Sequence, residues 1–236
     1  MTTAKQVLQK HASDFWLARG AIALTAILNL ALVNKLTFAP YWLAPVFELA
    51  LLVPLSIATA WTQIQVNTAT TDHHWGAIRR NRRWIRGAAL LLTFVVTAIN
   101  FEALIAVTRA LLHGAKGPTG ASLLIDALNI WFTNVVIFAL WFWNLDRGGP
   151  ATRGLESAGR PDLLFPQMTS LPDEAEEAWT PGFIDYLFVS FTNATAFSPT
   201  DTMPLSPRIK LLFMLEAAVS LATVGLVAAR AVNVLV

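Results

Sequence analysis

The stretch Asp185-Tyr-Leu-Phe-Val-Ser190-Phe-Thr-Asn-Ala-Thr195-Ala-Phe-Ser-Pro-Thr200-Asp201 stands just before the last membrane-length apolar run of the chain, Leu211 to Val236. It reads as a short apolar helix that breaks into a polar loop. Upstream, Thr180-Pro181 supplies a helix start, with Thr180 as N-cap and Pro181 at the first helical position, where a missing N–H costs nothing. The predicted helix runs from about Phe183 to about Thr195, too short to span a bilayer and too apolar to lie in water. It is therefore a candidate re-entrant helix, and the chain around it must be a membrane protein.

Composition agrees. Of 236 residues 55% are hydrophobic and 14% charged, against roughly 25% charged in soluble domains. A hydrocarbon core of about 30 Å needs about 20 apolar residues per helix. Runs of that kind occur near Trp16 to Val33, Tyr41 to Gln63, Trp84 to Leu112, Ser122 to Trp143 and Leu211 to Val236. The expected fold is all-α, with five transmembrane helices and one re-entrant helix. The first run lacks a small-residue cleavage site at the proper distance and is expected to be retained. No cysteine is present, which excludes disulfides and thiolate metal sites, and a net charge of +2 is too small to imply nucleic acid.

Two modules follow from the spacing. Residues 1–113 hold three spans: a hairpin turning at Asn34 to Pro40, then a polar loop from Asn67 to Arg83, then the third span. Residues 121–236 hold the fourth span, a Pro/Gly and acidic loop from Asp146 to Thr180, the re-entrant segment and the last span. The loop composition favours solvation over packing. Trp141, Phe142 and Trp143 form an aromatic girdle suited to headgroup level.

From Ser190 onward the segment resembles the pore region of potassium channels. Thr195, Ala196, Phe197, Ser198, Pro199, Thr200 and Asp201 stand where those channels carry T-V-G-Y-G-D, with Asn193 at the pore-helix end. In the last span Gly225-Leu226-Val227-Ala228-Ala229 falls where simple potassium channels carry an F-G-L-V-T-A-A-like stretch, and Ser220 occupies the place of their hinge glycine. The resemblance covers about Asp185 to Ala229. The layout of the whole chain is also similar to a group of bacterial inner-membrane proteins, a likeness that brings no chemistry.

The resemblance implies a cation-channel-like pore in a homotetramer, with inorganic cations and membrane lipid as partners, monovalent cations possible in the pore and no other cofactor. Its departures have physical consequences. Filter glycines permit alternating left- and right-handed backbone, so successive carbonyls can face the ion. Here neither glycine is present, and Pro199 fixes φ and biases Ser198 toward extended backbone. Side-chain oxygens of Thr195, Ser198, Thr200 and Asp201 are the remaining ligands. A weakly selective or plugged pore follows.

Charge distribution bears on orientation. Lys5, Lys10, Arg79 to Arg86, Arg147, Arg153, Arg208 and Lys210 share one side of a five-span topology, and Lys35, Arg109, Lys116 and Arg230 the other. The positive-inside rule puts the amino terminus in the cytoplasm of a bacterial inner membrane. The filter-like loop then faces inward, inverted relative to potassium channels.

Other ionisable residues have two readings each. Glu48, Glu102 and Asp126 lie in apolar runs, where a charge costs at least about 2.5 kcal/mol at the helix centre. They are either structural polar pairs, as Glu102 with Arg109 on one face, or ion and proton carriers of a small transporter. Glu216 either lines a central cavity or bonds to Asn193 of a neighbouring pore helix. Asp201 either attracts cations at a pore mouth, or caps its loop or pairs with Arg208. Asp72-His73-His74 has a metal or proton reading, but adjacent helical histidines diverge, and a solvated loop end fits better. No nucleophile, nucleotide or metalloprotease motif occurs, and no enzyme is expected; a non-conducting scaffold or sensor is the third reading.

Overall fold

The computed structural model describes residues 12–30, 45, 46, 49, 53, 56, 72–113, 120–149, 160–169, 179–198 and 201–235. Among them five α-helices form: α1 (Ala12–Leu30), α2 (Asp72–His113), α3 (Gly120–Leu145), α4 (Phe183–Ala196) and α5 (Pro207–Leu235). Three segments, Trp84–Leu111, Ala121–Gly148 and Pro207–Ala228, are long and apolar enough to cross a membrane, and Trp16–Leu30 is a shorter apolar helix. The protein is thus mainly helical and of membrane type. The Tyr41 to Gln63 run, the Asn34 to Pro40 turn and Glu48 lie almost wholly outside the described residues.

Two expectations are corrected. The polar loop predicted at Asn67 to Arg83 is helical from Asp72 onward, so α2 has 42 residues. Arginine is a good helix former, and an apolar span can seed a helix that propagates into a charged segment. Second, the Pro/Gly loop after α3 is not solvated throughout. Leu163 and Phe165 join the main core with Phe138, Phe142, Phe183 and Tyr186.

Packing directions come from side-chain contacts. The centre of the bundle is α3, against which α1, α2, α4 and α5 all pack. Trp141 on α3 donates its indole N–H to Thr97 on α2 at 2.9 Å, while Leu123 and Ile130 cluster with Leu104, Val107 and Ala110; α2 is therefore antiparallel to α3. Ala18 and Ile22 pack beside residues near Phe142, whereas Asn129 donates to the carbonyl of Leu28, so α1 is antiparallel to α3 as well. Phe213 stacks on Phe142 with ring centroids 4.7 Å apart, and Ser220 bonds Asn134. This makes α5 the third antiparallel neighbour.

Helix α4 has the geometry that matters for function. Phe183 meets Trp143 edge-on at 5.7 Å and Phe191 meets Trp131 at 5.9 Å, so α4 descends beside α3 from its C-terminal end. With 14 residues it is about 21 Å long at 1.5 Å per residue, roughly two thirds of a hydrocarbon core of about 30 Å. Its first residue, Phe183, is the expected one, but its cap lies two residues later than expected. Gly182, not Thr180, is the N-cap, and its N–H donates to Asp185 Oδ2 at 2.7 Å. Phe197 ends α4 in the left-handed conformation, φ 58°.

The chain then turns back. Met203–Pro204 (β2) pairs antiparallel with Leu163–Leu164 (β1), in the register Leu163 with Pro204 and Leu164 with Met203. Leu205 N–H donates to the Asp162 carbonyl at 2.8 Å. Both ends of the α4 excursion therefore sit at the C-terminal end of α3.

Candidate functional site

The returning end is held by two carboxylates. Asp146 follows α3 directly and is fully buried. Its Oδ1 accepts from the N–H of Asp162 at 2.7 Å and of Leu163 at 3.3 Å, and its Oδ2 accepts from the Tyr186 hydroxyl at 2.6 Å. One side chain thus ties α3 to β1 and α4. The backbone turns away from it through Arg147, Gly148 and Gly149, all at positive φ. A Cβ on Gly149 would lie 2.5 Å from the Asn144 carbonyl oxygen, so only glycine fits this turn.

The second carboxylate is Asp162. Arg208, at the start of α5, grips it with two bonds, Nε to Oδ1 at 3.1 Å and Nη2 to Oδ2 at 2.5 Å. Burial pushes the Asp162 carboxyl up. The Arg208 and Ser206 hydrogen bonds and the Arg208 charge outweigh that and hold it below the usual carboxylate range. Arg208 therefore pairs with Asp162, not with Asp201.

Below this end, α4 and α5 are joined by a buried polar network. Glu216 on α5 bonds through Oε1 to the Ser190 hydroxyl, and its Oε2 accepts from Asn193 Nδ2 at 2.7 Å. Asn193 also donates to the Phe213 carbonyl at 3.1 Å, and Ser190 to the Val135 carbonyl on α3 at 2.7 Å. Asn134 completes the set with a 3.0 Å bond to the Ser220 hydroxyl. Ser190 has one proton and faces two acceptors. Glu216 completes the network as a donor when it carries a proton and as a charged acceptor when it does not.

Glu216, Asn193 and Ser220 are therefore brought together inside one chain, with Glu216 bonded to its own Asn193. Gly225 is exposed farther along α5, with open space where a Cβ would stand. The filter-like residues lie elsewhere. Thr195, Ala196, Phe197, Ser198 and Asp201 are all exposed on the surface of the chain, and Pro199 and Thr200 fall outside the described residues. Thr195 donates its hydroxyl back to the Phe191 carbonyl at 2.9 Å. Asp201 Oδ1 accepts from Thr202 at 3.3 Å. Of the intramembrane carboxylates, Glu102 is half-buried on α2 and Asp126 buried on α3, both with partners of their own.

Nothing in the sequence marks Asp146, Tyr186 and Asp162 as a unit. The signal available was Asp146 beside Gly148-Gly149, after Trp141, Phe142 and Trp143, which pack in the core and against α2 and do not form the expected headgroup girdle, but its partners are up to 40 residues away. Compared with known proteins, the chain matches no family model, no curated protein and no solved structure.

Proposed function

We propose that several copies of this chain, most simply four, assemble in a bacterial inner membrane as a cation-channel-like pore built from α3, α4, the return loop and α5. One observation carries the reading. Helix α4 runs part of the way along α3, and its chain returns to the same end while Thr195, Ser198 and Asp201 remain exposed on the protomer. Non-helical polar backbone at membrane depth is tolerated only when covered by protein or lining water. A ring of copies satisfies both conditions around one axis.

Five spans with α4 re-entrant complete the topology of this proposal. Arg86, Arg147 and Arg208 belong to the end from which α4 enters, which favours that end as cytoplasmic. The C-terminal end of α4 carries the negative pole of its macrodipole toward the loop, which favours cations. With Pro199 in the loop and both filter glycines missing, ligands are side-chain oxygens, and selectivity among monovalent cations is weak.

The test is cation flux into liposomes holding the purified protein. Flux of sodium and potassium at similar rates, lowered by Asp201→Asn with assembly intact, supports the pore; flux unchanged by that substitution, or absent in a protein that assembles, removes it. The buried Asp126 favours a second reading, a small cation-coupled carrier, for which flux saturates and persists in a monomer.

A further inference from the structure

We infer that each protomer holds a monovalent-cation site inside the bundle, between α3 and α1, lined by Asn129 Oδ1 and Thr133 Oγ1 with Asp126 supplying the negative charge. This site does not rest on the pore reading and is distinct from the return loop.

Ser122, Asp126, Asn129 and Thr133 stand at i, i+4, i+7 and i+11, which places all four on one stripe of α3. All four are buried. An apolar stripe is the expectation for the central helix of a membrane bundle, since buried polar groups there mark pathways or sites. The stripe faces α1, because Asn129 Nδ2 donates to the Leu28 carbonyl. Near Leu28, α1 carries its own buried polar pair, Thr25 and Asn29.

Two oxygens on the stripe have no partner. Asn129 is 8% exposed and Thr133 1%, yet neither Asn129 Oδ1 nor Thr133 Oγ1 makes a hydrogen bond. The Asn129 amide cannot be reversed, because that would set its oxygen against the Leu28 carbonyl. Thr133 is the sharper case. Thr93, Thr97, Thr108 and Thr223, in α2 and α5, each donate back to the carbonyl four residues earlier, at 2.6 to 2.8 Å. Thr133 has the same helical opportunity at Asn129 and does not take it. A buried polar atom left unsatisfied is destabilising, so two on adjacent turns beside a carboxylate point to a ligand that completes them.

The ligand chemistry follows from the donor set. It is all oxygen, which suits a hard cation and not a soft one. A single carboxylate stands on the stripe, too little charge and too few ligands for calcium, which takes six to eight oxygens at roughly 2.3 to 2.6 Å. A sodium or potassium ion, retaining water on its open side, matches.

Thermal unfolding of the purified protein in detergent tests this at equal ionic strength of sodium, potassium or choline chloride. A small alkali cation should raise the midpoint by a few degrees over choline, in a saturable way. Thr133→Val, nearly isosteric, removes an unsatisfied oxygen and should raise the choline midpoint, while raising the half-saturating cation concentration at least about tenfold. Thr133→Ser should behave as the parent, and Asp126→Asn should remove the increment. Labelled sodium binding to the unaltered protein, which depends on no variant, should saturate in proportion to the chain. Equal midpoints in all three salts with no bound sodium would overturn the site. So would an increment that survives Thr133→Val but vanishes in Asp201→Asn, because the cation would then sit at the loop.

Discussion

The two ends of α4 differ in how completely one chain satisfies them. At its start, Asp146 has three donors from two segments and Asp162 has a two-pronged arginine. At its finish, Thr195, Ser198 and Asp201 are exposed and Phe197 holds a left-handed backbone without being glycine. The first end is a closed structural unit. The second is left open by its own chain, and local strain of this kind concentrates at functional positions.

Removing Asp146 should have the largest effect. Asp146→Ala leaves the N–H groups of Asp162 and Leu163 and the Tyr186 hydroxyl without their buried acceptor, which should cost about 3 to 5 kcal/mol. Denaturant unfolding in mixed micelles reads this directly. A loss below about 1 kcal/mol would mean that the start of α4 is held by packing alone and would erase the contrast between the two ends.

Phe197 gives the opposite sign at the other end. A left-handed conformation costs a non-glycine residue roughly 1 to 2 kcal/mol, part of which glycine returns as backbone entropy. Phe197→Gly should stabilise the protomer by about 1 kcal/mol in the same unfolding experiment while altering flux. Stabilisation without any change in flux would place Phe197 outside the ion path.

Acid pH separates the ends by charge. The Asp162 carboxyl lies lower in the folded protein than its unfolded value of about 3.9, so its contribution is fully present above that value and is lost as pH falls through the folded one. Arg208 is half exposed, so screening limits the effect to about 1 kcal/mol or less. The stability gap between the parent and Asp162→Asn should be present at neutral pH and close below about pH 4. A gap that is constant with pH would show that Asp162 acts through its hydrogen-bonding shape and not its charge.

What could be read from the sequence follows the range of the interactions. The extent of α4 is legible, Phe183 to about Thr195 against an observed end at Ala196, because length, apolarity and the following proline are local signals. The start of α2 is misread because Arg79 to Arg83 mark a membrane boundary, and a membrane boundary need not be a helix boundary. Asp146 resembles the first residue of a loop; its role depends on Asp162 and Tyr186, brought to it by the fold. Glu216 and Asn193 are legible as a pair, but periodicity cannot tell whether they meet within one chain or between two. The stripe Ser122, Asp126, Asn129 and Thr133 was available in the spacing. Of the four, Asp126 alone stands out in the sequence, since a neutral residue in an apolar run carries no penalty that isolates it.

The central claim, that the loop after α4 is completed by other copies of the chain, has a direct test because the protein contains no cysteine. Ser198→Cys places a single thiol in the loop, and Phe94→Cys places one on an exposed apolar position of α2. Oxidation in native membranes should convert most of the Ser198→Cys protein to covalent dimers and leave Phe94→Cys monomeric, since loops around one axis are close and scattered lipid-facing positions are not. Ser198→Cys that stays monomeric under oxidation, or crosslinks no more than Phe94→Cys, would contradict the account.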